Sequence, residues 1–375
     1  MLNRLDDYPV HQTPEPLAQP ATSDRNFYDR TWFNGYAVDG SWCFGITMAV
    51  YPHLGVLDCA FSVVRPGGRQ HCFFASRRAP AERTEMCAGP MRIEVIEPLR
   101  RTRVVLDDND SGLGCELEFS ARTGAIQEGR QTLWQGARRW MDATRFDQFG
   151  AWSGTVRTSE GDISVDPAES RATKDRSWGV RPVGLPELPG APVVPAGIFF
   201  LWAPLFWEDH VSHAIFFDGP SGEPLFREAL TAPLYASVDA VPDTADAAVE
   251  PMAGATHRVA YHANSRLAKR AEIELHGLTG ERREISLTPM LRFQMKGLGY
   301  GHPEWRHGLW HDELALGHES FDLAELDLLA PENVHVQQVV LAREGGNEGI
   351  GVLEQVSLGP YAPPGFKSYS DGAGT

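Results

Sequence analysis

The sequence predicts an all-β chain made of two consecutive barrel-like or sandwich-like halves, and two observations lead to this class. Short segments that alternate apolar and polar residues recur along the chain with turn residues between them, while convincing amphipathic helices are scarce. Near the middle, five prolines and three glycines fall between positions 181 and 197. Such a stretch cannot continue a regular strand or helix, so it marks the boundary between the halves.

The first half contains the clearest alternating segments. Positions 91–98 (MRIEVIEP) and 115–121 (CELEFSA) place apolar side chains at every second residue, which is the period of a strand with one buried face. Positions 154–166 (GTVRTSEGDISVD) predict a hairpin that turns at 159–161.

The second half repeats this pattern. Strand-like segments occur at 196–207 (AGIFFLWAPLFW), 269–277 (KRAEIELHG), 332–344 (ENVHVQQVVLARE) and 350–361 (IGVLEQVSLGPY). Positions 213–226 (HAIFFDGPSGEPLF) predict a hairpin that turns at 218–222. The best candidate for a short helix is 320–330 (SFDLAELDLLA).

These segments and the Pro/Gly-rich boundary suggest a division of the chain. The predicted organisation is an N-terminal arm at 1–27, a first barrel at 28–185, a linker at 186–197, a second barrel at 198–362 and a tail at 363–375.

Composition excludes several classes of partner. The formal net charge is −16, and the basic residues are scattered, so neither nucleic acid nor an anionic membrane surface is an expected partner. No stretch approaches the ~20 apolar residues of a membrane span, and the N-terminus lacks the apolar region of a signal peptide. We therefore expect a cytoplasmic protein.

The cysteines fit the same expectation. There are five, all in the first third of the chain, and none forms a Cys-x-x-Cys pair. An odd number without metal-ligand spacing favours reduced thiols, most of them buried as small apolar side chains, over a disulfide framework or a zinc site.

The common cofactor motifs do not occur in this sequence. There is no Gly-x-Gly-x-x-Gly fingerprint, no Gly-Lys-Ser/Thr phosphate loop and no Gly-x-Ser-x-Gly nucleophile elbow. We therefore expect no nicotinamide, flavin or ATP, and no cofactor of any other kind.

Five segments carry a resemblance to a known family. They read YDRTWFNGYAVDGSWCFGITMAVYPHLGVLD, DATRFDQFGAWSGTV, KDRSWGVR, GLGYGHPEWRHGLW and GIGVLEQVSLGPYAPPGF, and they span 28–366. On these residues the chain resembles the bacterial lipocalin-like family of hydroxyneurosporene synthase (carotenoid 1,2-hydratase) and the AttH-like proteins. The resemblance implies two consecutive lipocalin-like, calycin-like β-barrels with a hydrophobic ligand held in or between them.

What the resemblance implies about chemistry is less specific. Some relatives hydrate isolated alkenes and fungal relatives accelerate cycloadditions, so the likeness supports the fold more than any one reaction. The hydratases have a His-Asp-His-Asn-Trp-Gly stretch where this chain has KDRSWG at 174–179. Both histidines are replaced by basic residues that cannot shuttle protons near neutral pH, which argues against a direct copy of the hydratase mechanism.

The segment around Asp175 is the first candidate site. On a strand, Asp175 and Ser177 face one way, while Arg176 and Trp178 face the other as a basic-aromatic ledge. Asp175 could be a general acid if an apolar pocket keeps it protonated, with Trp178 steadying a developing cation. The alternative is a buried ion-pair network in which an arginine holds Asp175 ionised. The sequence leaves both interpretations open.

The segment 299–313 (GYGHPEWRHGLWHDE) is the second candidate. Its histidines could suggest a metal, but on a strand His307 and His311 lie about 13 Å apart, too far to share one ion. We expect no metal there. The functional interpretation is a pocket rim formed by Tyr300, His302, Trp305 and His307, and the alternative is a turn whose histidines satisfy backbone groups.

Two further segments offer ligand-binding residues. Trp202, Trp207 and His210, together with His213, could line an apolar cavity, although aromatic residues at strand spacing are more often core. Glu354 interrupts an apolar strand, so it faces either a lumen, as a second proton donor or anchor, or the solvent.

These candidates support three functional hypotheses. The first is a cofactor-free enzyme that uses acid to assist hydration, dehydration, isomerisation or cyclisation of a hydrophobic terpenoid or polycyclic molecule. In this hypothesis Asp175 donates a proton, His302 and His307 act as base or position water, and Trp178, Trp207 and Trp305 shape the pocket. The second is a carrier of an apolar metabolite, and the third an assembly partner with filled barrels. A homodimer is an open alternative.

Overall fold

The computed structural model describes residues 2–186, 190–191, 197–369 and 371–374, so most of the predicted linker at 186–197 lies outside the described residues. Within these ranges the chain forms 23 β-strands and four 3₁₀ helices of three or four residues. No helix of the described residues is long and apolar enough to cross a membrane.

The strands, numbered in chain order, are β1 (Phe27–Ala37), β2 (Cys43–Tyr51), β3 (Val56–Val64), β4 (Arg69–Arg78), β5 (Cys87–Ala88), β6 (Met91–Glu97), β7 (Arg101–Leu106), β8 (Gly114–Ala121), β9 (Ile126–Gln127), β10 (Gln131–Gln135), β11 (Arg138–Arg157), β12 (Ile163–Val165), β13 (Ser170–Val180), β14 (Ile198–Phe206), β15 (His210–Asp218), β16 (Pro224–Pro233), β17 (Glu250–Pro251), β18 (Gly254–Tyr261), β19 (Ala268–His276), β20 (Arg282–Gln294), β21 (Leu314–Asp322), β22 (His335–Glu344) and β23 (Asn347–Leu358). The 3₁₀ helices are Arg4–Asp7, Val238–Ala240, Met295–Leu298 and Leu323–Glu325.

The first sheet contains fourteen of these strands. Its main path runs β21-β4-β3-β2-β1-β13-β11-β8-β7-β6-β5, and β9, β10 and β12 pair with β11. One face of the sheet surrounds an apolar core whose centre is a cluster of aromatic rings with centroids 5.2 to 5.9 Å apart. The cluster consists of Phe33, Phe44, Phe61, Phe119 and Trp152, all buried.

The second sheet contains the other nine strands in the order β17-β16-β15-β14-β23-β22-β20-β19-β18. It surrounds a separate core that includes Phe199, Leu201, Phe216, Leu287 and Leu353. The two sheets make a nearly closed barrel and a half-barrel, which confirms the predicted all-β, two-barrel class.

The outer faces of the two sheets pack against each other in a third core. Trp32 of β1 meets Trp202 of β14 edge-on at a ring-centroid distance of 5.8 Å, and Phe149 of β11 meets Phe206 of β14 at 5.2 Å. Strands such as β14 are therefore buried on both faces, which explains why their sequences are continuous apolar runs rather than alternating ones.

Most of the strand predictions are confirmed. The alternating segments at 91–98 and 115–121 form β6 and β8, and the predicted hairpin at 154–166 is formed by the end of β11 and β12. The hairpin at 213–226 joins β15 to β16.

The helix predicted at 320–330 is wrong. β21 continues to Asp322 and pairs with β4, and only Leu323–Glu325 form a 3₁₀ turn, where the Asp322 side chain accepts a hydrogen bond from the Ala324 N–H at 2.8 Å. Sheet pairing outweighs the local helical pattern here. β21 also joins the first sheet although it lies in the second half of the chain.

Candidate functional site

A cavity of about 200 Å³ lies between the two sheets, and we call it the intersheet cavity. The first sheet contributes side chains from β1, β11 and β13, and the second sheet contributes side chains from β14, β15, β22 and β23. Half-exposed residues at 140, 141 and 198 mark its open side. The cavity is therefore outside both barrel interiors.

Strand register explains which residues of the first sheet face this cavity. Trp32 of β1 lies opposite Asp175 of β13, and Arg30 lies opposite Ser177. Arg30 Nη2 lies within 3.4 Å of Ser177 Oγ and 3.3 Å of Asp175 Oδ2, so Asp175 and Ser177 share a face, as the alternation predicted.

Asp175 is held by two arginines at the edge of the cavity. Its Oδ2 lies 3.3 Å from Arg30 Nη2 and 3.3 Å from Arg145 Nε, and all three side chains are nearly buried. Its other oxygen, Oδ1, has no hydrogen-bond partner among the described residues. Asp175 therefore has both the cavity that the first sequence interpretation requires and the arginine ion pairs that the second requires.

Tyr300 stands beside Arg30 on the same wall. The Arg30 guanidinium donates from Nη1 to the phenol oxygen, and Arg181 lies 5.9 Å from the centroid of the phenol ring. Burial raises the pKa of Tyr300, although both arginines oppose the shift. The phenol is consequently neutral, and because its oxygen already accepts from Arg30, its proton is free to be donated to a ligand.

A carboxylate and an imidazole complete the polar wall. Glu354 of β23 accepts a hydrogen bond from His335 Nε2 at 2.8 Å through Oε1 and from Gln337 Nε2 at 2.9 Å through Oε2. The His335 ring meets the Tyr300 ring edge-on at 4.6 Å. Asp175, Arg30, Tyr300, His335 and Glu354 thus form a continuous row of interacting groups, which we call the polar arc.

The rest of the lining, which we call the aromatic wall, is apolar and lies beside the polar arc on both sheets: Trp32 pairs across strands with Asp175, and Trp202 pairs with Glu354. Trp32 and Trp202 meet edge-on, and Phe200 and Phe217 pack at a centroid distance of 4.8 Å. The ring nitrogens of Trp32 and Trp202 have no hydrogen-bond partner among the described residues. An apolar surface with convergent polar groups at one side is the usual make-up of a small-molecule site.

Comparison with known proteins identifies the family. A family model described as "Family of unknown function (DUF8625)" matches residues 2–367. The chain belongs to this family. No curated protein matches it.

Solved structures similar to this DUF8625 protein share its fold. A putative AttH from Nitrosomonas europaea aligns with a TM-score of 0.54 and 14% identity over 93% of this chain and 98% of that one. Kievitone hydratase from Nectria haematococca aligns with a TM-score of 0.50 and 12% identity over 88% of each chain. The resemblance to the lipocalin-like hydratase and AttH group is therefore confirmed at the level of fold.

Among the residues predicted from sequence, four line the intersheet cavity of this DUF8625 protein: Asp175, Trp202, Tyr300 and Glu354. Glu354 faces the cavity between the sheets and not the barrel lumen of the sequence interpretation, and its role as an acid or anchor stays a prediction.

His302 and His307 lie behind the wall rather than on it. His307 Nε2 donates to the Leu298 carbonyl at 2.7 Å, its Nδ1 accepts from Arg181 Nη2 at 3.4 Å, and its ring meets Tyr300 at 4.5 Å. Burial, with Arg181 nearby, holds the pKa of His307 well below its usual range. His307 is therefore a neutral group that positions Arg181 and Tyr300 and does not line the cavity.

His302 and Trp305 belong to a neighbouring packing layer. His302 Nδ1 accepts the backbone N–H groups of Glu304 and Trp305 at 3.0 and 2.7 Å, as the backbone-satisfying alternative predicted. Trp305 stacks on Phe74 at a centroid distance of 5.6 Å.

The other predicted binding residues lie elsewhere. Arg176 pairs with Asp29 at 2.7 Å at the mouth of the first barrel, and Trp178 is partly exposed and packs edge-on against Phe146 at a centroid distance of 6.4 Å. Trp207 packs in the second barrel core and donates to Ser212 Oγ at 2.9 Å, while His210 contacts Arg283 at 3.0 Å.

Sequence reasoning missed Arg30, Arg145 and His335. Arg30 and His335 occupy strand positions that resemble a solvent face, because an alternating charged or polar residue usually points to water. The packing of one sheet on the other turns that face inward. The one sequence signal for an inward-facing polar surface is an unusual number of polar residues within an apolar strand, as at 335–338.

Asp58 fixes the loop that carries His307, and its burial makes stability depend on pH. Asp58 Oδ2 accepts from the Gly308 N–H at 2.6 Å, and Oδ1 accepts from Tyr51 at 3.3 Å. Burial raises the pKa of Asp58 to about 7 despite these hydrogen bonds. Between its unfolded and folded pKa the native state binds the extra proton, so this group's contribution to the unfolding free energy falls as pH rises toward 7.

Asp58→Asn is expected to remove this dependence. From about pH 5 to pH 8 the unfolding free energy of the natural protein should fall by about 2–3 kcal/mol more than that of the variant. Urea denaturation at several pH values measures this difference. Parallel pH curves for the two proteins would show that Asp58 ionises normally in the fold.

Proposed function

We propose that this protein is an enzyme that binds a small apolar molecule of terpenoid or polycyclic type in the intersheet cavity and transfers protons to and from it. The reaction class is hydration, dehydration, isomerisation or cyclisation, carried out by side chains. The observation that carries the proposal is that the polar arc and the aromatic wall line one and the same cavity. Neither wall alone would distinguish an active site from a core.

The cavity supports a ligand of limited size. Its volume of about 200 Å³ is below the ~300–1,000 Å³ of pockets for drug-sized ligands. This suits a molecule of monoterpenoid size, or one ring system of a larger polycycle whose remainder passes the open side near Trp140 and Met141. The aromatic wall favours apolar and developing cationic groups through its ring faces.

The polar arc supplies groups for both halves of a proton-transfer cycle. In hydration, one carbon of a C=C bond gains a proton, the other gains the oxygen of water, and that water loses a proton to a base. Asp175, whose Oδ1 is unpartnered among the described residues, is placed to accept a hydrogen bond and then the proton from that water. The His335–Glu354 pair is suited to return a proton, and Tyr300 to donate a hydrogen bond to a ligand oxygen.

This assignment changes the role expected for Asp175 without removing it from the site. Asp175 Oδ2 already contacts two guanidinium groups and only Oδ1 remains open to a ligand or water, so the acid of the cycle is sought at the His335–Glu354 pair instead. The fold relationship with kievitone hydratase, an enzyme named for a hydration, is compatible with this class of reaction.

The test is turnover in heavy water with a panel of monoterpenoid and steroid alkenes, alcohols and enones. We expect at least one compound to gain or exchange solvent deuterium, detected by mass spectrometry. Tyr300→Phe should slow the reaction by about 10²–10³-fold, as loss of one hydrogen bond to a charge-bearing oxygen does. Tyr8→Phe, at an exposed tyrosine, is the matched control. Tight binding across the panel with no turnover would contradict the enzyme and favour the carrier.

A further inference from the structure

A second polar cluster lies wholly inside the contact between the sheets. Glu128 follows β9, Asp147 lies on β11 and His213 lies on β15, so the first sheet supplies two members and the second supplies one. All three side chains have zero exposure. Their candidate ligand atoms all lie within 4.8 Å of one another.

The hydrogen-bonding capacity of this cluster is left largely unused. Neither ring nitrogen of His213, neither carboxylate oxygen of Asp147 and not Oε1 of Glu128 has a hydrogen-bond partner outside the cluster among the described residues, although the two carboxyl groups can share one proton with each other. Buried polar atoms without a partner are rare in native proteins, and here one such atom from each of the three residues meets the others at one point, within 4.8 Å. Native proteins avoid this unless something else occupies the point.

The histidine aims at the carboxylates without bonding to them. His213 Nε2 lies 3.6 Å from Glu128 Oε1 and 3.7 Å from Asp147 Oδ2. Both separations are too long for a hydrogen bond. A proton shared between the two carboxyl groups would therefore still leave His213 unsatisfied.

These separations match the spacing of ligands around one metal ion. With zinc bonds of about 2.0–2.2 Å to imidazole nitrogen and carboxylate oxygen, neighbouring ligand atoms of a tetrahedral site are roughly 3.4 Å apart. The observed 3.6 and 3.7 Å differ from this by a few tenths of an ångström. The groups also have the right charge, because two carboxylates balance a divalent cation.

We propose that Glu128, Asp147 and His213 bind one divalent transition-metal ion, for which zinc suits the ligand set best. One imidazole and two carboxylates are borderline-to-hard ligands that zinc accepts, and three protein ligands leave a fourth position. This proposal differs from the expectation, made from sequence, of a protein without a cofactor and without a metal at 299–313.

The surroundings of the cluster suit such a site. Gln131 Nε2 donates to Glu128 Oε2 at 2.9 Å and so orients that carboxylate, a typical outer-sphere contact of a metal ligand. The Trp202 and Phe149 rings meet the imidazole edge-on at 5.9 and 6.3 Å and exclude water.

The position of the ion would tie the two sheets together. Its ligands come from both sheets, and Arg145 lies between Glu128, at 3.5 Å, and Asp175, at 3.3 Å. A bound ion would therefore act as a structural clip and would fix the arginine that holds Asp175. The clip is a property of the fold and does not depend on any reaction in the cavity.

Metal content tests the proposal directly. Protein expressed without a polyhistidine tag should contain about one equivalent of zinc per chain, measured by inductively coupled plasma mass spectrometry. When the protein is unfolded in the presence of a chelator, the sample refolded with zinc should have a Tm about 5 °C or more above that of the sample refolded without zinc.

Glu128→Gln and His213→Gln should each lower the bound metal at least tenfold. His276→Gln, at a half-buried histidine paired with Glu274, is the matched control and should keep full metal content.

Three results would overturn the proposal. One is a folded protein that is metal-free after refolding in zinc, manganese or ferrous iron. Another is unchanged metal content in the two ligand variants. If those variants do not fold, X-ray absorption of the natural protein decides: nitrogen and oxygen ligands with one imidazole support the site, whereas sulfur ligands would place the metal at the cysteines.

Discussion

Glu354→Gln is expected to lower turnover by about 10²–10⁴-fold while leaving ligand affinity nearly unchanged. Glutamine has almost the same shape, so the aromatic wall keeps its form and continues to bind apolar molecules. The amide cannot exchange a proton with His335, however, and its NH₂ group cannot replace both oxygens that now accept from His335 and Gln337. The row of groups from Asp175 to Glu354 is thereby broken at one end.

The measurement pairs initial rates with displacement of anilinonaphthalene sulfonate from the cavity. Glu348→Gln is the matched control, because Glu348 lies on the same strand, β23, but is exposed and pairs with Arg343 at the surface. Full activity in Glu354→Gln would remove the His335–Glu354 pair from the mechanism. A parallel loss of affinity and rate would make it a binding group instead.

Asp175→Asn is expected to destabilise the protein by about 3–5 kcal/mol. The substitution leaves Arg30 in a buried site without its carboxylate and leaves Arg145 with Glu128 alone, at 3.5 Å, and an uncompensated buried charge is among the most costly defects in a fold. Arg30 does not escape this cost by losing its proton, because a guanidinium group stays protonated in proteins.

The same variant separates the two interpretations of Asp175. We expect the denaturation midpoint to fall without a change in the dependence on denaturant, together with loss of turnover. If Asp175 were instead a protonated donor, asparagine would replace it at a cost below about 1 kcal/mol, and only turnover would be lost. Asp239→Asn is the control: Asp239 pairs with Arg101 at 3.2 Å on the surface, and an exposed pair contributes only about 0–1 kcal/mol.

Local pattern was sufficient to predict the strands and one side of the site. Period-two alternation located β6 and β8, and it placed Asp175 and Ser177 on a common face. Glu354 was recognisable as a candidate because a carboxylate within an otherwise apolar strand is unusual. These properties each depend on a single strand, so a short stretch of sequence is enough to predict them.

The remainder of the site depends on contacts between distant strands. Arg30 and His335 are 305 positions apart, yet both touch Tyr300. Their meeting follows from the packing of one sheet on the other, and no local pattern specifies that packing. His302 and His307 illustrate the converse: they are close to Tyr300 in sequence, but backbone hydrogen bonds turn them away from the cavity.

The position of a bound ligand tests the central claim most directly. In a crystal structure with a monoterpenoid or steroid ligand from the panel, the molecule should lie in the intersheet cavity, with its ring system against Trp202 and an oxygen within hydrogen-bond distance of Tyr300 or the His335–Glu354 pair. A ligand found inside the first barrel, at the mouth formed by Asp29 and Arg176, would contradict the account.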